Sequence, residues 1–174
     1  MASSSRLFLV VSGPPASGKS TLAPALAGEL GLPPVAKDTI KDALMSLLPV
    51  PDVEASRQLG RAAVAAMLAV AAQSPSGAVI ESNFHRSAAV ANLRRCRLPG
   101  PVLEVFFRVD REVARRRHLT RAGSRHAGHF DSTRTAEELS NDEVSHPVAG
   151  GGRSSRSTPR SLSTSQMSPA SFAR

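Results

Sequence analysis

The sequence predicts an α/β domain built on a parallel sheet. Short apolar runs alternate with stretches of helical periodicity along most of the chain. The first apolar run leads straight into a glycine-rich loop and then a helix. With 174 residues, 41% of them hydrophobic, the chain is long enough and apolar enough to bury the core of one ordinary domain.

Each element has its own signal. "RLFLVVS" (6–12) is a continuous apolar run, as suits a strand buried on both faces. The loop "GPPASG" follows. "KSTLAPALAGELG" (19–31) has helical spacing, with Leu22, Leu26 and Leu30 on one face, Gly31 as its stop and Pro24 near the second turn. "LPPVAK" (32–37) is a weaker strand, and "DTIKDALMSLL" (38–48) is a helix that Asp38 is placed to cap. After the breaker "PVPD" comes a long alanine-rich helix over 53–74. "AVIES" (78–82) reads as a strand, "SAAVANLRRC" (87–96) as a helix and "PVLEVFFRV" (101–109) as a strand. "DREVARRRHLTRA" (110–122) is a helix capped by Asp110. Residues 123–146 are polar, and "TAEELSNDEV" within them has helical character.

Composition narrows the function. The formal net charge is +8, but residues 1–150 carry only +4. The other half of the excess lies on Arg153, Arg156, Arg160 and Arg174, in a segment with no acid. Aromatic residues are 3% of the chain, with no Trp or Tyr, so base-stacking surfaces are poorly supplied and nucleic acid is not the expected partner. The single cysteine, Cys96, cannot form an internal disulfide, which suits a reducing compartment. The run "LFLVV" is too short to span a bilayer, so a cytoplasmic protein with no membrane association is expected.

The most specific signal is G-x-x-x-x-G-K-[ST], met by Gly13, Gly18, Lys19 and Ser20 between a predicted strand and a predicted helix. Glycines let backbone N–H groups turn inward around a phosphate, and the helix N-terminus adds a favourable dipole. Lys19 would neutralise β/γ-phosphate charge, and the Ser20 hydroxyl would be a Mg²⁺ ligand.

Three further features bear on what happens to the phosphate. Asp38 follows the second strand, so it would lie at the carboxyl edge of the sheet, where ligands of open α/β sheets bind. A carboxylate there can accept the proton of an attacking hydroxyl, or it can be a plain helix cap. Glu81 ends the apolar strand "AVIES" and would hold Mg²⁺ through water, or be a solvated acid. Ser82 and Asn83, next along, could face a substrate. Arg117, Arg121 and Arg125 are spaced four apart, in a series that includes Arg115 and Arg116. They would clamp a transferring phosphate, or form a basic face toward solvent or nucleic acid. His126 and His129 lack further ligands at zinc spacing, so a role beside the substrate is the reading left open to them.

On these residues the chain resembles the P-loop kinase-like AAA domain ATP-binding proteins. That group is similar to chloramphenicol phosphotransferase, zeta toxins, gluconate kinase and the kinase domain of polynucleotide kinase. The resemblance rests on "LVVSGPPASGKSTLA", "AKDTIKDAL", "AVIESNF", "VFFRVDREVARRR" and "RAGSRHAGHF", in that order over about residues 6–150. It implies the three-layer P-loop NTPase fold with strand order 2-3-1-4-5 and a lid after the fourth strand. It implies ATP with Mg²⁺ and a hydroxyl acceptor near Asp38. It assigns Gly13, Pro14, Pro15, Ala16, Ser17, Gly18, Lys19, Ser20 and Thr21 to the nucleotide, and lid arginines from Arg117 to Arg125 to the phosphates.

The chain departs from this group near its end. Where a last apolar strand is expected, "GGGRSSRSTPRSLSTSQ" brings Ser, Arg and Gly instead. Residues 1–150 are therefore expected to form the kinase-like domain and 151–174 a disordered basic tail. The fifth strand would then be missing, and codons exist for this stretch whose shifted frame encodes an apolar strand, so a frameshift is one account of the tail.

The leading expectation is an ATP-dependent phosphotransferase acting on a hydroxyl of a small molecule. Its rivals are an ATP-binding protein with impaired catalysis and a kinase of nucleic-acid 5′-hydroxyl ends.

Overall fold

The structure is a computed structural model that describes residues 6–122, 125–130, 135 and 141–148. Among the described residues four parallel strands form the sheet: β1 (Leu7–Ser12), β2 (Pro34–Ala36), β3 (Gly77–Glu81) and β4 (Val102–Phe106). Their order is β2-β3-β1-β4, as the resemblance implies for the first four strands. The register pairs Val10 with both Ile80 and Glu104, so the strands end together at one carboxyl edge.

Period-two alternation sorts β1 and β3 between two cores. Phe8, Val10, Ala78 and Ile80 pack with Met67, Leu68 and Ala71 of helix α3 (Val53–Gln73) and Ala89 of α4 (Arg86–Cys96). Leu9, Val11 and Val79 pack on the other face with Ala23 and Ala27 of α1 (Lys19–Leu30). Helices on both faces explain why these strands are apolar throughout. Burying each Val, Ile or Phe contributes about 1.5–3 kcal/mol.

The apolar face of α1 differs from the one its leucines suggest. Ala23 and Ala27 are buried, Leu22 and Leu26 only partly, and Leu30 is 45% exposed. Leu22 and Leu26 pack against the margin of this core, and Leu30 faces solvent. Pro24 lies inside this helix, on its exposed side.

Asp38 is not a helix cap. Strand β2 runs directly into α2 (Lys37–Met45), so the cap position falls on Ala36, which has extended backbone and no side-chain cap. Asp38 therefore sits in the first helical turn, where its charge favours the helix dipole and its carboxylate is available for other contacts. Capping is instead supplied at two later helices. Asp52 accepts a 2.7 Å bond from Ala55 N at the start of α3. Asp110 accepts from the backbone of Glu112 and Val113 at the start of α5 (Arg111–Ala122).

Beyond α5, a short 3-10 turn covers Ala127–His129 and helix α6 covers Asp142–Ser145. The rest of the expected helical stretch over 135–144 lies, apart from Thr135 and these residues, outside the described residues. Chain past α6 is tied back to the sheet at Val148. Its amide donates to Glu104 Oε1 of β4 over 2.9 Å, and the same oxygen accepts from the Ser12 hydroxyl. Residues 149–174, and with them the expected tail and the question of a fifth strand, lie outside the described residues.

Because Asp52 caps the longest helix, Asp52→Ala should lower unfolding free energy by about 1 kcal/mol. Urea denaturation of the two proteins reads this directly. An unchanged midpoint would remove the cap from the list of stabilising contacts.

Candidate active site

The loop between β1 and α1 is shaped by positions with unusual backbone. Gly13 has φ +137°, and a Cβ there would lie 2.6 Å from the carbonyl oxygen of Phe107. Only glycine lets the loop pass this close to the end of β4. Gly18, with φ +98°, is the cap residue of α1, and Ala16 between them also has positive φ. Alternating signs of φ make a concave backbone lined with N–H groups, a shape that receives anions.

Lys19 lies inside this curl. It is 4% exposed, and its Nζ donates to Pro14 O at 2.7 Å and to Ser17 Oγ at 3.3 Å. Burial lowers its pKa to about 8, although Glu81 and Asp38 pull the other way. Glu81 is buried at the end of β3, and burial raises its pKa while Lys19 lowers it. Its carboxylate takes a hydrogen bond from the hydroxyl of Ser20. This hydroxyl and carboxylate beside an anion cradle form a hard oxygen donor pair, which suits Mg²⁺. The residues present thus fit a nucleotide phosphate chain with its magnesium.

Asp38 faces the loop from α2. Its Oδ1 lies 2.5 Å from Lys37 Nζ, outside hydrogen-bond alignment, and its Oδ2 accepts from Arg125 Nη2 at 2.9 Å. Burial would raise its pKa, but Lys37, Arg125 and His129 outweigh that and hold it well below the carboxylate range. Arg125 Nη2 also lies 3.1 Å from His129 Nδ1, and His129 Nε2 lies 2.5 Å from Asp42 Oδ1. Two carboxylates one turn apart on α2 therefore meet an arginine and a histidine four residues apart. Burial lowers the pKa of His129.

The expected site residues converge unevenly. Pro15, Ala16, Ser17, Gly18, Lys19, Ser20, Asp38, Glu81, Arg121 and Arg125 line one pocket at the carboxyl edge, with Asn83 and His118. Gly13 and Pro14 are buried beneath the loop, and Thr21 is exposed on α1. Ser82 is buried with its hydroxyl unpaired and is not on the pocket wall. Arg117 is the departure: it is exposed on α5 and absent from the wall. Ala114 and His118 are the buried positions of α5; Arg121, though exposed, borders the pocket, and Arg117 does not. The buried pair was readable, because Ala114 is the small apolar position amid "ARRR", and His118 lies four residues on.

A second cavity, of about 350 Å³, adjoins this pocket. Ser20, Asp38, Glu81, Arg121 and Arg125 line both, and the second extends to Thr39, Asp42 and His126. The zinc pattern considered for His126 and His129 is replaced by other contacts: His126 Nδ1 accepts from Gly128 N, and His129 is held by Asp42.

Comparison with known proteins agrees with this geometry. Residues 8–146 match the sequence model of an AAA domain family, and the chain belongs to that family. Its architecture is similar to a protein of Chloroflexus aurantiacus assigned as a kinase by inference: 29% identity, TM-score 0.73, covering 86% of this chain and 85% of that one. A gluconokinase from Sinorhizobium meliloti has the same fold at 22% identity and TM-score 0.51, covering 82% of this chain and 85% of that one. So does a chain of the Pnkp1/Rnl/Hen1 RNA repair complex, at 15% identity and TM-score 0.50, covering 84% of this chain and 50% of that one. No curated protein matches the sequence. The chain is thus a kinase-like P-loop domain with the α/β fold of that class.

Lys19 makes stability depend on pH in a definite direction. Its pKa of about 8 is below the unfolded value of 10.5, so the unfolded state holds more protons between these values. Stability should therefore rise with pH through that window, relative to Lys19→Met, by on the order of 3 kcal/mol. Denaturant titrations of both proteins at pH 7.5 and pH 10.5 test this, and a parallel pH dependence would contradict a buried lysine.

Proposed function

We propose that the protein is an ATP-dependent kinase that transfers the γ-phosphate of ATP to a hydroxyl of a small molecule. The observation that carries this reading is the position of Asp38. It lies on the wall of both the phosphate-loop pocket and the adjoining cavity, so one carboxylate addresses both reactants.

In the proposed reaction the acceptor oxygen attacks the γ-phosphorus, the bond to the β–γ bridging oxygen breaks, and the hydroxyl proton passes to Asp38 and then to solvent. The loop from Gly13 to Ser20 and Lys19 hold the phosphates. Arg121, on the pocket wall, stabilises charge on the group in transit. Ser20 and Glu81 would hold Mg²⁺, which would supply positive charge against the phosphates. A carboxylate with so low a pKa is a weak base. The transition state of phosphoryl transfer is loose, so orienting the hydroxyl matters more than early proton removal. Asp38 fits that task because a hydrogen bond from Arg125 holds its Oδ2 while Lys37 stands as a counter-charge beside Oδ1.

Two variants test the proposal with ADP release and calorimetric ATP binding in parallel. Lys19→Ala should remove transfer and weaken ATP binding. Asp38→Asn should leave ATP affinity nearly unchanged while turnover with a responding acceptor falls about 10²–10⁴-fold. Wild-type turnover in Asp38→Asn would reject the role given to it, and stimulation by oligonucleotide 5′ ends alone would reject a small-molecule acceptor.

A further inference from the structure

We infer that the acceptor carries a second hydrogen-bond donor, a hydroxyl or an ammonium, about one helical turn from the hydroxyl that is phosphorylated, and that Asp42 and Thr39 read it. The inference rests on the kinase reading above and gives the acceptor a chemical class: a polyol or an amino alcohol.

The argument starts from the two cavities. Asp38 lines both, whereas Asp42 and Thr39 line only the one farther from the phosphate loop. Asp38 and Asp42 are four residues apart within α2, which sets their side chains on one face about 6 Å apart. A hydroxyl held at Asp38 for attack therefore leaves the rest of the acceptor against Asp42. The cavity, at about 350 Å³, has room for a molecule the size of roughly a dozen waters.

The wall selects for donors. Away from the phosphate loop it is small and apolar at Ala23, Pro24 and Val79, and its polar side chains are Thr39, Asp42 and His126. Asp42 is an acceptor that repels carboxylates and phosphates. It is also held in place, because buried His129 packs its Nε2 against Oδ1 at 2.5 Å while the Asp42 side chain stays 52% exposed. A fixed carboxylate that still reaches open space rewards a hydroxyl or ammonium and rejects an acceptor carrying an acid at that point. Arg121 and Arg125 line both cavities, and Arg125 is engaged by Asp38, so the preference for a donor holds at Asp42 itself, one turn farther along α2.

Four classes of probe separate the outcomes: neutral polyols and hexoses, amino alcohols, sugar acids, and alcohols with one hydroxyl. Each is titrated calorimetrically into the full chain loaded with Mg²⁺ and a non-hydrolysable ATP analogue, and assayed for ADP release with ATP. The tightest binder should be a polyol or amino alcohol. Asp42→Ala should weaken its binding about tenfold to hundredfold, with kcat at saturation changed less than about threefold. Removing the second donor from the compound should cause the same loss in the wild type and no further loss in Asp42→Ala. Thr39→Val, which deletes one exposed hydroxyl and leaves the Asp42–His129 pair intact, should weaken binding by a smaller factor and guards against a folding defect in Asp42→Ala. The inference is overturned if the tightest binder is a sugar acid or a simple alcohol, if both variants bind like the wild type, or if no class binds. Binding that depends on Asp42 without phosphate transfer would keep the donor site and reject the kinase reading. Transfer that ignores Asp42 would do the reverse.

Discussion

The structure depends on keeping one ammonium group, that of Lys19, out of water. An isolated buried cation is expensive, and the surrounding chain is arranged around that cost. The Pro14 carbonyl and the Ser17 hydroxyl satisfy two of its protons from within the same loop. Glu81 and Asp38 supply opposite charge from the ends of two other segments. This cation therefore links β3, the β2–α2 junction and the loop after β1. The loop can curl tightly only because Gly13 lacks a Cβ against Phe107, so the end of β4 is part of the same constraint.

The carboxyl edge divides into two halves with different sources. The phosphate half is built from residues close in sequence, Gly13 to Ser20, and from strand ends that must lie beside them. The half that the proposed function gives to the acceptor is assembled from distant ones. Arg125 reaches Asp38, and His129 reaches Asp42, each across 87 positions. Local geometry can be encoded by glycines and a helix start. The second half exists only when the segment after α5 folds over α2.

This difference explains what the sequence reveals. The phosphate loop, the strand alternation and the position of Glu81 at a strand end follow from short patterns, because each is set by neighbouring residues. Asp38 was ambiguous for a physical reason. A carboxylate at a strand-to-helix junction serves equally as cap or ligand, and the zero-length junction after Ala36 is what decides. The arginine series was harder. Spacing groups Arg117, Arg121 and Arg125, but burial of Ala114 turns α5 so that His118 faces inward and Arg117 outward. The leucine face of α1 misled similarly, since its buried apolar positions are the alanines Ala23 and Ala27. Thr39, Asp42 and His129 lie within segments that carry the resemblance, but no spacing joins them, and their meeting depends on contacts that only the tertiary fold supplies.

The electrostatics of Asp38 and Glu81 follow from the same division. Both are shielded carboxylates at the same edge, yet their pKa values move apart. Asp38 has Lys37, Arg125 and His129 around it, and it stays charged. Glu81 has Lys19 as its first cationic neighbour, and that is not enough to offset its burial. A carboxylate whose charge is under-compensated gains most from an added cation, while one already matched gains least. On the proposed kinase reading, a magnesium ion would gain most beside Glu81 and Ser20, and Asp38 would be left free of metal to face the acceptor. Lys37, Arg125 and His129 around Asp38, against Lys19 and more weakly Lys37 around Glu81, are what set the two carboxylates apart.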